Sequence, residues 1–567
     1  MPGQELLRIE NLSVAFKTGL GLRPAVNSVS LSLVSGEILG LVGESGSGKT
    51  ILSLAALGLL PPNAVVTSGR VMFDGEDLLT ARQKVLRRLR GKQISMIFQD
   101  PMASLDPVFS CGSQITEAIR LHKRLTERQA TQNALELLEK VGISDPARCF
   151  RSYPHELSGG QCQRVMIAMA VSCKPDVIIA DEPTTALDVT VQKQVLNLLR
   201  DLNREIGAAI LLITHDLGVI HEVADRVAVI YHGNIMEQGT KAEIFAAPSN
   251  DYTKALIASM PSVSKPHTRL PVIAKDESGK IYSRIEPKPP SKSKPPTSTS
   301  EPLLRVRGLS KSFFVREHGL ATPKAFRAVD HVSLEIPTRS TLGLVGESGC
   351  GKSTISRLVM RLIEPDEGTI EIGGRELVSL NREEMRAARR DIALVFQNPY
   401  GSLNPRQTVL DLVAGPIDIH EGGRGRAARV EKLLDAVGLP RSALARYPHE
   451  FSGGQRQRIV IARALALNPR LLICDEAVSA LDVSVQAQVL NLLQDLQDEF
   501  DLTYLFISHD MSVVRHVSDT IAVMQNGRIV ETGAAADVFN NPQADYTHTL
   551  LSAIPKIADT HPAIMEP

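Results

Sequence analysis

The sequence predicts an α/β protein that contains the same domain twice, each copy with a mixed sheet and a helical subdomain. The phosphate-cradling pattern G-x-x-x-x-G-K-[ST] occurs at residues 43–50 and again at 346–353, each time after an apolar run. Longer stretches also recur, since YPHELSGGQ (153–161) returns as YPHEFSGGQ (447–455) and FQDPMASLDP (98–107) as FQNPYGSLNP (396–405). A repeat of this length indicates a duplicated domain.

The domain boundaries follow from the repeat and from a change in composition. A chain of 567 residues is too long for a single core. We expect a first domain over 1–260, a linker over 261–302, a second domain over 303–558 and a tail over 559–567. The linker contains PKPPSKSKPPTSTSEP, which has almost no apolar residues. We therefore expect it to be an extended and mobile tether.

Within each copy, apolar strand-like runs alternate with helical stretches. The runs that end in Asp-Glu and in His-Asp are typical of parallel strands buried on both faces. A mostly helical stretch lies between the FQDP-type and SGGQ-type segments, and we expect it to form the inserted helical subdomain.

Composition argues against several classes of function. Lys+Arg and Asp+Glu are both 63, so no net charge draws the chain to nucleic acid or to acidic lipid. No apolar run approaches the roughly 20 residues of a membrane span, and the start lacks a signal-peptide layout. We expect a cytosolic chain whose membrane-spanning partners are other subunits. The six cysteines form no C-x-x-C pair, which favours reduced packing thiols and no metal cluster.

The two phosphate loops carry the first set of candidate binding residues. Glycines let backbone N–H groups turn toward an anion, and the N-terminus of the following helix adds a positive field. The lysine would reach the outer phosphates, and the hydroxyl after it would hold Mg²⁺. The loop residues that we expect to contact phosphate are Gly43, Ser45, Gly46, Gly48, Lys49 and Thr50 in the first copy and Gly346, Ser348, Gly349, Gly351, Lys352, Ser353 and Thr354 in the second.

An Asp-Glu pair ends a buried run in each copy, as Asp181-Glu182 and as Asp475-Glu476. The end of a parallel strand is the edge at which α/β folds keep their ligands. The aspartate can hold Mg²⁺ through water, and the glutamate can polarise an attacking water. Strand ends are often acidic, but a phosphate loop upstream makes the pair a strong indication.

A glutamine and a histidine complete the set in each copy. Gln99 and Gln397 follow apolar strands and precede Pro-x-x-Ser-Leu, which favours a Mg²⁺ ligand that senses the third phosphate over a polar strand cap. His215 and His509 each lie 33 residues after the glutamate of the pair. Their shared position favours a γ-phosphate contact over a satisfied core histidine.

The SGGQ segments predict a second anion site in each copy. A serine N-cap followed by glycines exposes a hydroxyl and N–H donors at the start of a helix. Each domain already has a phosphate loop of its own. A second anion site in the same domain makes sense if it caps nucleotide that is bound to the other domain. The residues expected there are Ser158, Gly160, Gln161, Ser452, Gly454 and Gln455.

These motifs, with Ala-Leu-Asp at 186–188 and 480–482, resemble in their order the nucleotide-binding domains of ABC ATPases over nearly all of both halves. The resemblance implies ATP and Mg²⁺ as cofactors. It also implies head-to-tail pairing, in which each half's phosphate loop faces the other half's SGGQ segment and two composite ATP sites form. Phe16 and Phe313 stand where this family stacks adenine, although a strand phenylalanine is more often a core residue.

The FQDPMASLDP segment, the YPHE-SGGQ segments and the tails NDYTKALIASMP and ADYTHTLLSAIP resemble the peptide/nickel class of bacterial ABC importers. The tandem fusion and DEAVSALD (475–482) look most similar to glutathione-import ATPases, with dipeptide and microcin-type importers as near rivals. This resemblance implies a peripheral ATPase on the cytoplasmic side of the bacterial inner membrane. Its implied partners are two integral membrane permease subunits and a solute-binding protein, and no nucleic acid.

The alternative is a soluble tandem ABC ATPase that acts on the ribosome or on nucleic acid. Translation-factor types join their halves with a charged helical linker and repair types insert paired-cysteine zinc modules, and the sequence contains neither. A pseudo-ATPase scaffold is disfavoured because every catalytic position is filled in both copies. Ala477, where the family usually has proline, and Cys162, after SGGQ, are departures that touch no catalytic side chain.

Overall fold

The computed structural model describes residues 3–19, 21–184, 187–261, 266–276, 279–287, 301–315, 324–396, 399–423, 425–479 and 481–554. These residues form two compact units, one built mainly from the chain up to Ile257 and the other mainly from the chain after Ala258. Within the described parts of the chain, none of the helices combines the length and the apolar character needed to cross a membrane.

The first unit contains ten strands and eleven helices among its described residues. The strands are β1 Glu5–Thr18, β2 Gly21–Val34, β3 Ile38–Val42, β4 Ala64–Phe73, β5 Glu76–Asp77, β6 Ile94–Ile97, β7 Val177–Asp181, β8 Ala209–Thr214, β9 Arg226–Tyr231 and β10 Asn234–Thr240. The helices are α1 Lys49–Ala56, α2 Gln83–Leu89, α3 Pro101–Ser104, α4 Cys111–His122, α5 Glu127–Lys140, α6 Pro146–Arg151, α7 Gly159–Val171, α8 Val189–Ile206, α9 Leu217–Val223, α10 Lys241–Ala246 and α11 Asp251–Ala258.

Two short strands follow, β11 Val272–Lys275 and β12 Ile281–Arg284. The strands of the second half are β13 Pro302–Val315, β14 Lys324–Pro337, β15 Thr341–Val345, β16 Glu367–Ile372, β17 Arg375–Glu376, β18 Ile392–Val395, β19 Leu471–Asp475, β20 Thr503–Ile507, β21 Thr520–Gln525 and β22 Arg528–Ala534. The helices are α12 Lys352–Val359, α13 Arg382–Ala388, α14 Pro399–Ser402, α15 Val409–Glu421, α16 Arg426–Ala436, α17 Gly453–Ala464, α18 Val483–Phe500, α19 Met511–Val517, α20 Ala535–Asn540 and α21 Asp545–Ser552. Short 3-10 turns occupy Pro154–Glu156, Arg441–Ala445, Pro448–Glu450 and Leu465–Leu467.

A six-stranded mixed sheet forms the centre of each unit. Its order is β10-β9-β3-β8-β7-β6 in the first unit and β22-β21-β15-β20-β19-β18 in the second, and only the β10 and β22 edges are antiparallel. Every residue of β3, β7 and β8 is buried, as expected of apolar strands covered on both faces. The carboxyl ends of these three strands therefore meet at one edge, directly before the phosphate loop, the Asp-Glu pair and the histidine.

A four-stranded antiparallel sheet accompanies each central sheet, in the order β2-β1-β4-β5 and β14-β13-β16-β17. In the first unit Leu7 of β1, Leu41 of β3 and Leu52 of α1 share one hydrophobic core, so α1 is packed against both sheets. This packing fixes the start of α1 relative to the end of β3. Both ends of the loop between β3 and α1 are therefore held in place.

A helical insertion, α4–α7, lies in the chain between β6 and β7, and α15–α17 lie at the corresponding place in the second half. In α5, Thr126 and Gln129 exchange side-chain and backbone hydrogen bonds in a capping box. The mixed sheets and the helical insertions confirm the predicted α/β fold in both halves.

Part of the predicted linker is folded, so the expectation of a tether throughout 261–302 does not hold for residues 267–275. Leu270 is fully buried in the core of the second unit. Its N–H donates to Asn491 Oδ1 at 2.9 Å, and its carbonyl accepts from Asn491 Nδ2 at 2.8 Å. The guanidinium of Arg269 donates to both carboxylate oxygens of Asp495, one turn further along α18. Residues 288–300, which include most of the Pro/Ser-rich stretch, and the tail 559–567 lie outside the described residues.

Replacing Leu270 by Ala is expected to lower the free energy of unfolding of the second unit by about 2–5 kcal/mol, because a buried leucine is lost and a cavity remains. Denaturant unfolding of the full chain measures this change. The matched control is Ile285→Ala, since Ile285 is 62% exposed on the same connecting segment. Equal unfolding curves for the two variants would show that the segment adds no core packing.

Candidate functional site

Each phosphate loop bridges the end of a buried strand and the start of a helix, and glycine is required at both of its ends. A Cβ added to Gly43 would lie 2.1 Å from the carbonyl oxygen of Ile230, and one added to Gly48 would lie 2.5 Å from that of Ala25. In the second loop the corresponding approaches are 2.2 Å for both Gly346 and Gly351. No side chain fits at these positions without moving backbone.

The middle of each loop is exposed and is shaped by backbone conformation. Gly46 and Gly349 have φ values of 74° and 81°, in the left-handed region. A Cβ at either residue would meet no described atom within 4 Å. The exposed loop residues are Ser45, Gly46, Thr50, Ser348 and Gly349, whereas Ser353 and Thr354 are half-buried. The middle of the loop thus faces open space, where a phosphate can approach the backbone.

A buried lysine lies inside each loop. Lys49 Nζ donates to the carbonyl oxygens of Gly43 at 2.7 Å and Glu44 at 2.9 Å. Lys352 Nζ makes the same two bonds to Gly346 and Glu347 at 2.7 and 2.8 Å. Both lysines are only 5% exposed. The ammonium groups therefore supply concentrated positive charge at the centre of each loop.

The aspartate at the end of the Asp-Glu strand lies beside the hydroxyl that follows the lysine. In the second half Asp475 accepts from Ser353 Oγ at 3.1 Å and from Ser356 Oγ at 2.9 Å. Burial raises the pKa of Asp475, against the effect of these two hydroxyls. Ser356 is a contact that the sequence analysis did not identify, although a serine recurs at the matching Ser53.

Asp181 is the equivalent carboxyl in the first half and is 2% exposed. Burial raises its pKa to about 6, with the Thr50 hydroxyl acting in the opposite direction and Glu182 adding to the rise. Its Oδ1 has no hydrogen-bond partner among the described residues. A buried carboxylate oxygen that has no such partner and lies beside a hydroxyl fits a hard cation such as Mg²⁺, which prefers oxygen ligands.

The predicted glutamine, glutamate and histidine meet in the first half. Gln99 Nε2 donates to Glu182 Oε2 at 2.9 Å, and His215 Nδ1 lies 3.2 Å from Glu182 Oε1. Both carboxylate oxygens of Glu182 are therefore held by side chains from neighbouring strands. The contact between Gln99 and Glu182 had no counterpart in the sequence analysis.

In the second half His509 Nδ1 lies 3.3 Å from Glu476 Oε1. Burial alone would lower the pKa of His509, but the hydrogen bond and the charge of Glu476 outweigh burial and raise it. The third partner, Gln397, lies outside the described residues, as do Ala186 and Ala480 of the Ala-Leu-Asp segments.

The two glutamates have an unusual backbone. Glu182 and Glu476 have φ values of 49° and 50°, a left-handed conformation that is uncommon for residues other than glycine. Each N–H donates to a carbonyl at the end of the adjacent strand, that of Ile213 at 2.8 Å or Ile507 at 2.9 Å. These bonds hold a strained turn that carries each carboxylate next to the histidine.

The SGGQ segments begin helices α7 and α17 as capping boxes. Ser158 Oγ accepts from the Gln161 N–H at 3.3 Å, and the Ser158 N–H donates to Gln161 Oε1 at 3.0 Å. Ser452 and Gln455 exchange the same bonds at 3.4 and 3.1 Å. The S-x-x-Q pattern is a known sequence signal for this cap. The structure thus shows a local role for both glutamines, and their nucleotide contact stays a prediction.

The second glycine of each segment has a packing role. A Cβ on Gly160 would lie 3.1 Å from Val191, and one on Gly454 would lie 2.3 Å from Val485. The close approach to the following helix therefore favours glycine in both halves. The aromatic candidates differ in exposure, since Phe16 is half-buried and Phe313 is 39% exposed on its sheet. Adenine stacking by either ring stays a prediction.

Both halves of the chain match a family model, and nearly the whole chain aligns with similar relatives. Residues 26–185 and 329–479 match the ABC transporter family, and residues 236–283 and 530–565 match the oligopeptide/dipeptide transporter C-terminal region. The glutathione import ATP-binding protein GsiA of Pectobacterium atrosepticum is 46% identical over 573 residues, which is 99% of this chain and 91% of the relative. GsiA of Escherichia coli is 46% identical over 564 residues, 97% of this chain and 89% of the relative. A dimeric ATP-binding cassette in a post-hydrolysis state, bound to ADP and Pi, aligns with 41% of this chain and 98% of its own at 29% identity and a TM-score of 0.37.

Replacing Asp181 by Asn is expected to stabilise the chain at pH 7.5 in the absence of nucleotide and Mg²⁺. The pKa of Asp181 is raised from 3.8 to about 6. The stability that this carboxyl contributes is therefore complete below pH 3.8 and is lost as the pH rises through about 6. The ionised group then costs about 3 kcal/mol, which the substitution removes. We expect a higher melting temperature at pH 7.5 and a smaller gain at pH 5.

The matched control for this substitution is Asp201→Asn, because Asp201 is an exposed carboxylate on α8 of the same unit. It should leave the melting temperature unchanged at both pH values. A lower melting temperature for Asp181→Asn at pH 7.5 would contradict a destabilising buried charge.

Proposed function

This chain belongs to the ABC transporter family, and from that premise we propose that it is the ATP-hydrolysing subunit of a bacterial importer for glutathione or a similar small peptide. One observation carries the proposal. In each unit the strand-end glutamate contacts the histidine of the next strand, at 3.2 and 3.3 Å, beside a phosphate loop with a buried lysine. Phosphoryl transfer to water needs positioned charge and a positioned water more than covalent chemistry, and these groups supply both.

The phosphate loop binds the nucleotide in this proposal. The exposed loop centres around Gly46 and Gly349 accept the phosphates, and Lys49 and Lys352 turn from the loop carbonyls toward them. Thr50, Gln99 and Asp181 would hold Mg²⁺ in the first half, and Ser353, Gln397 and Asp475 in the second. The ion supplies positive charge that offsets the charge of the phosphates.

Glu182 and Glu476 position and polarise the attacking water. A carboxylate held at both oxygens, as Glu182 is by Gln99 and His215, has a defined direction and loses little freedom when water binds. His215 and His509 then lie at the side of the γ-phosphate and hold the glutamate in place. The strained backbone at both glutamates supports a functional role, since such conformations cluster at active sites.

Two composite ATP sites are part of the proposal. The capped starts of α7 and α17 present backbone N–H groups at a helix N-terminus, which favours an anion. Ser158 and Gly160 would cap ATP on the second half's loop, and Ser452 and Gly454 would cap ATP on the first half's loop. Binding of ATP then draws the halves together, and hydrolysis releases them.

The partners proposed are two integral membrane permease subunits and a solute-binding protein, with this chain peripheral on the cytoplasmic side of the inner membrane. The glutathione import relatives and the match to the oligopeptide/dipeptide transporter C-terminal region support peptide import as the process. They give no support to the ribosome or nucleic-acid alternative. Co-purification with the two permeases, and ATP-dependent uptake of labelled glutathione by the assembly, test this part directly.

Replacing both Glu182 and Glu476 by Gln should retain ATP binding and reduce hydrolysis by about 10²- to 10⁴-fold, because the amide cannot accept the proton of the water. Steady-state phosphate release and equilibrium binding of ATP measure the two effects. Glu139→Gln, on the exposed face of α5, is the control and should hydrolyse ATP normally. Undiminished hydrolysis in the double variant would remove both glutamates from this role.

Replacing Ser158 and Ser452 by Asp separates capping from nucleotide binding. Aspartate is as good an N-cap as serine, so the melting temperature should hold. Its charge would repel the phosphates across the composite site, and we expect ATPase activity to fall about 10-fold or more. Ser110→Asp is the control, because Ser110 is the N-cap of α4 outside the proposed site. Normal ATPase activity in the double variant would argue against composite sites.

A further inference from the structure

Helix α21, near the end of the described chain, reaches the phosphate loop of the second half. The N–H of Glu347, the second residue of that loop, donates to the hydroxyl of Tyr546 at 3.0 Å, across 199 residues of sequence. The carbonyl of the same residue accepts from Lys352 Nζ at 2.8 Å. The residue is thus held from outside the loop by Tyr546 and from inside by the lysine.

The rest of the second half's C-terminal region also supports this loop. A Cβ added to Gly346 would lie only 2.2 Å from the carbonyl oxygen of Met524. The N–H of Gly527 donates to the carbonyl of Cys350 at 3.0 Å. Together with Tyr546 of α21, Met524 of β21 and Gly527 of the turn after it therefore approach the loop between its first glycine and its lysine.

Helix α21 is anchored without help from the Tyr546 hydroxyl. Glu531 on β22 accepts the N–H groups of Gln543 at 2.9 Å and Ala544 at 3.1 Å, which lie just before the helix. Leu550 of the same helix is buried in the core of the unit. The hydroxyl can therefore be removed while the helix stays in place.

We propose that Tyr546 is a positioning residue for the second half's phosphate loop, through which α21 sets the affinity of that loop for ATP. The inference rests on the proposed function, because it takes the loop to bind ATP. Lys352 must leave the loop carbonyls to reach a phosphate, whereas the Tyr546 hydroxyl holds Glu347 before and after the nucleotide arrives. Without that hydroxyl the loop has more freedom to lose when ATP binds, and affinity falls.

The first half has a tyrosine at the matching position with different packing. Tyr252, 294 residues before Tyr546, is fully buried, and its ring lies 4.3 Å from that of Tyr231. The residue that matches Tyr231 in the second half is Gln525, so no such ring pair forms there. The assignment therefore concerns Tyr546 and the second loop alone.

The test measures binding of a fluorescent ATP analogue to the full chain with one loop disabled at a time. In the Lys49→Ala background, where binding reports the second loop, Tyr546→Phe should raise Kd about 2- to 10-fold, the effect of one net hydrogen bond. In the Lys352→Ala background, where binding reports the first loop, it should leave Kd unchanged. The matched control is Tyr504→Phe, which removes a buried hydroxyl bond to the Leu493 carbonyl, 2.8 Å long, in the same unit.

The outcomes separate a positioning role from a structural one. Tyr504→Phe should lower the melting temperature and leave Kd at both loops as it was. If Tyr546→Phe behaves in the same way, the hydroxyl only fastens α21 and the inference is overturned. An equal rise in Kd at both loops would also overturn it. If the unsubstituted chain binds no ATP analogue, the proposed function fails first and takes the inference with it.

Discussion

Concentrated charge at the end of apolar strands is the constraint on which the structure of each half depends. In the first half a lysine that is 5% exposed and an aspartate that is 2% exposed lie at one sheet edge. Charges so far from water are costly unless they are paired. Loop carbonyls hold Lys49, and the raised pKa of Asp181 reflects the cost of ionising that buried carboxyl. A site of this kind is prepared for a ligand that carries both signs of charge, such as a nucleotide with its cation.

Rigid backbone is what keeps those charges in position. The phosphate loop packs so closely against neighbouring carbonyls that Gly43 and Gly346 have no room for a side chain. The glutamates beside it are held in a left-handed conformation by hydrogen bonds that their N–H groups donate to carbonyls of adjacent strands. Both features are present in both halves, although the two halves share only parts of their sequence. The common element is the sheet edge, because it sets where each strand must end and turn.

The connecting segment shows where composition misleads. Its Pro, Ser and Lys content predicts an unfolded tether, yet Leu270 is buried and Arg269 pairs with a carboxylate of α18. The average composition of a segment does not show whether its few apolar residues pack against another part of the fold. Leu270 is stabilised by Asn491, 221 residues later, whose amide satisfies both backbone groups of the segment. Backbone outside a sheet can be buried in this way because a side-chain amide supplies the hydrogen bonds that a neighbouring strand would otherwise supply.

The sequence alone determined the fold class, the two phosphate loops, the strand-end carboxylates and the serine caps. Each of these depends on local chemistry, because glycine allows tight turns, apolar runs form buried strands and serine caps the helix that follows it. Tertiary structure decided which of these groups touch. Gln99 meets Glu182 across 83 residues, and Tyr546 meets Glu347 across 199. No local pattern encodes such contacts, since they arise only when parallel strands bring their ends to one edge and a distant helix packs behind it. The left-handed glutamates belong to the same group, because glutamate has no intrinsic preference for that conformation and the neighbouring strands impose it.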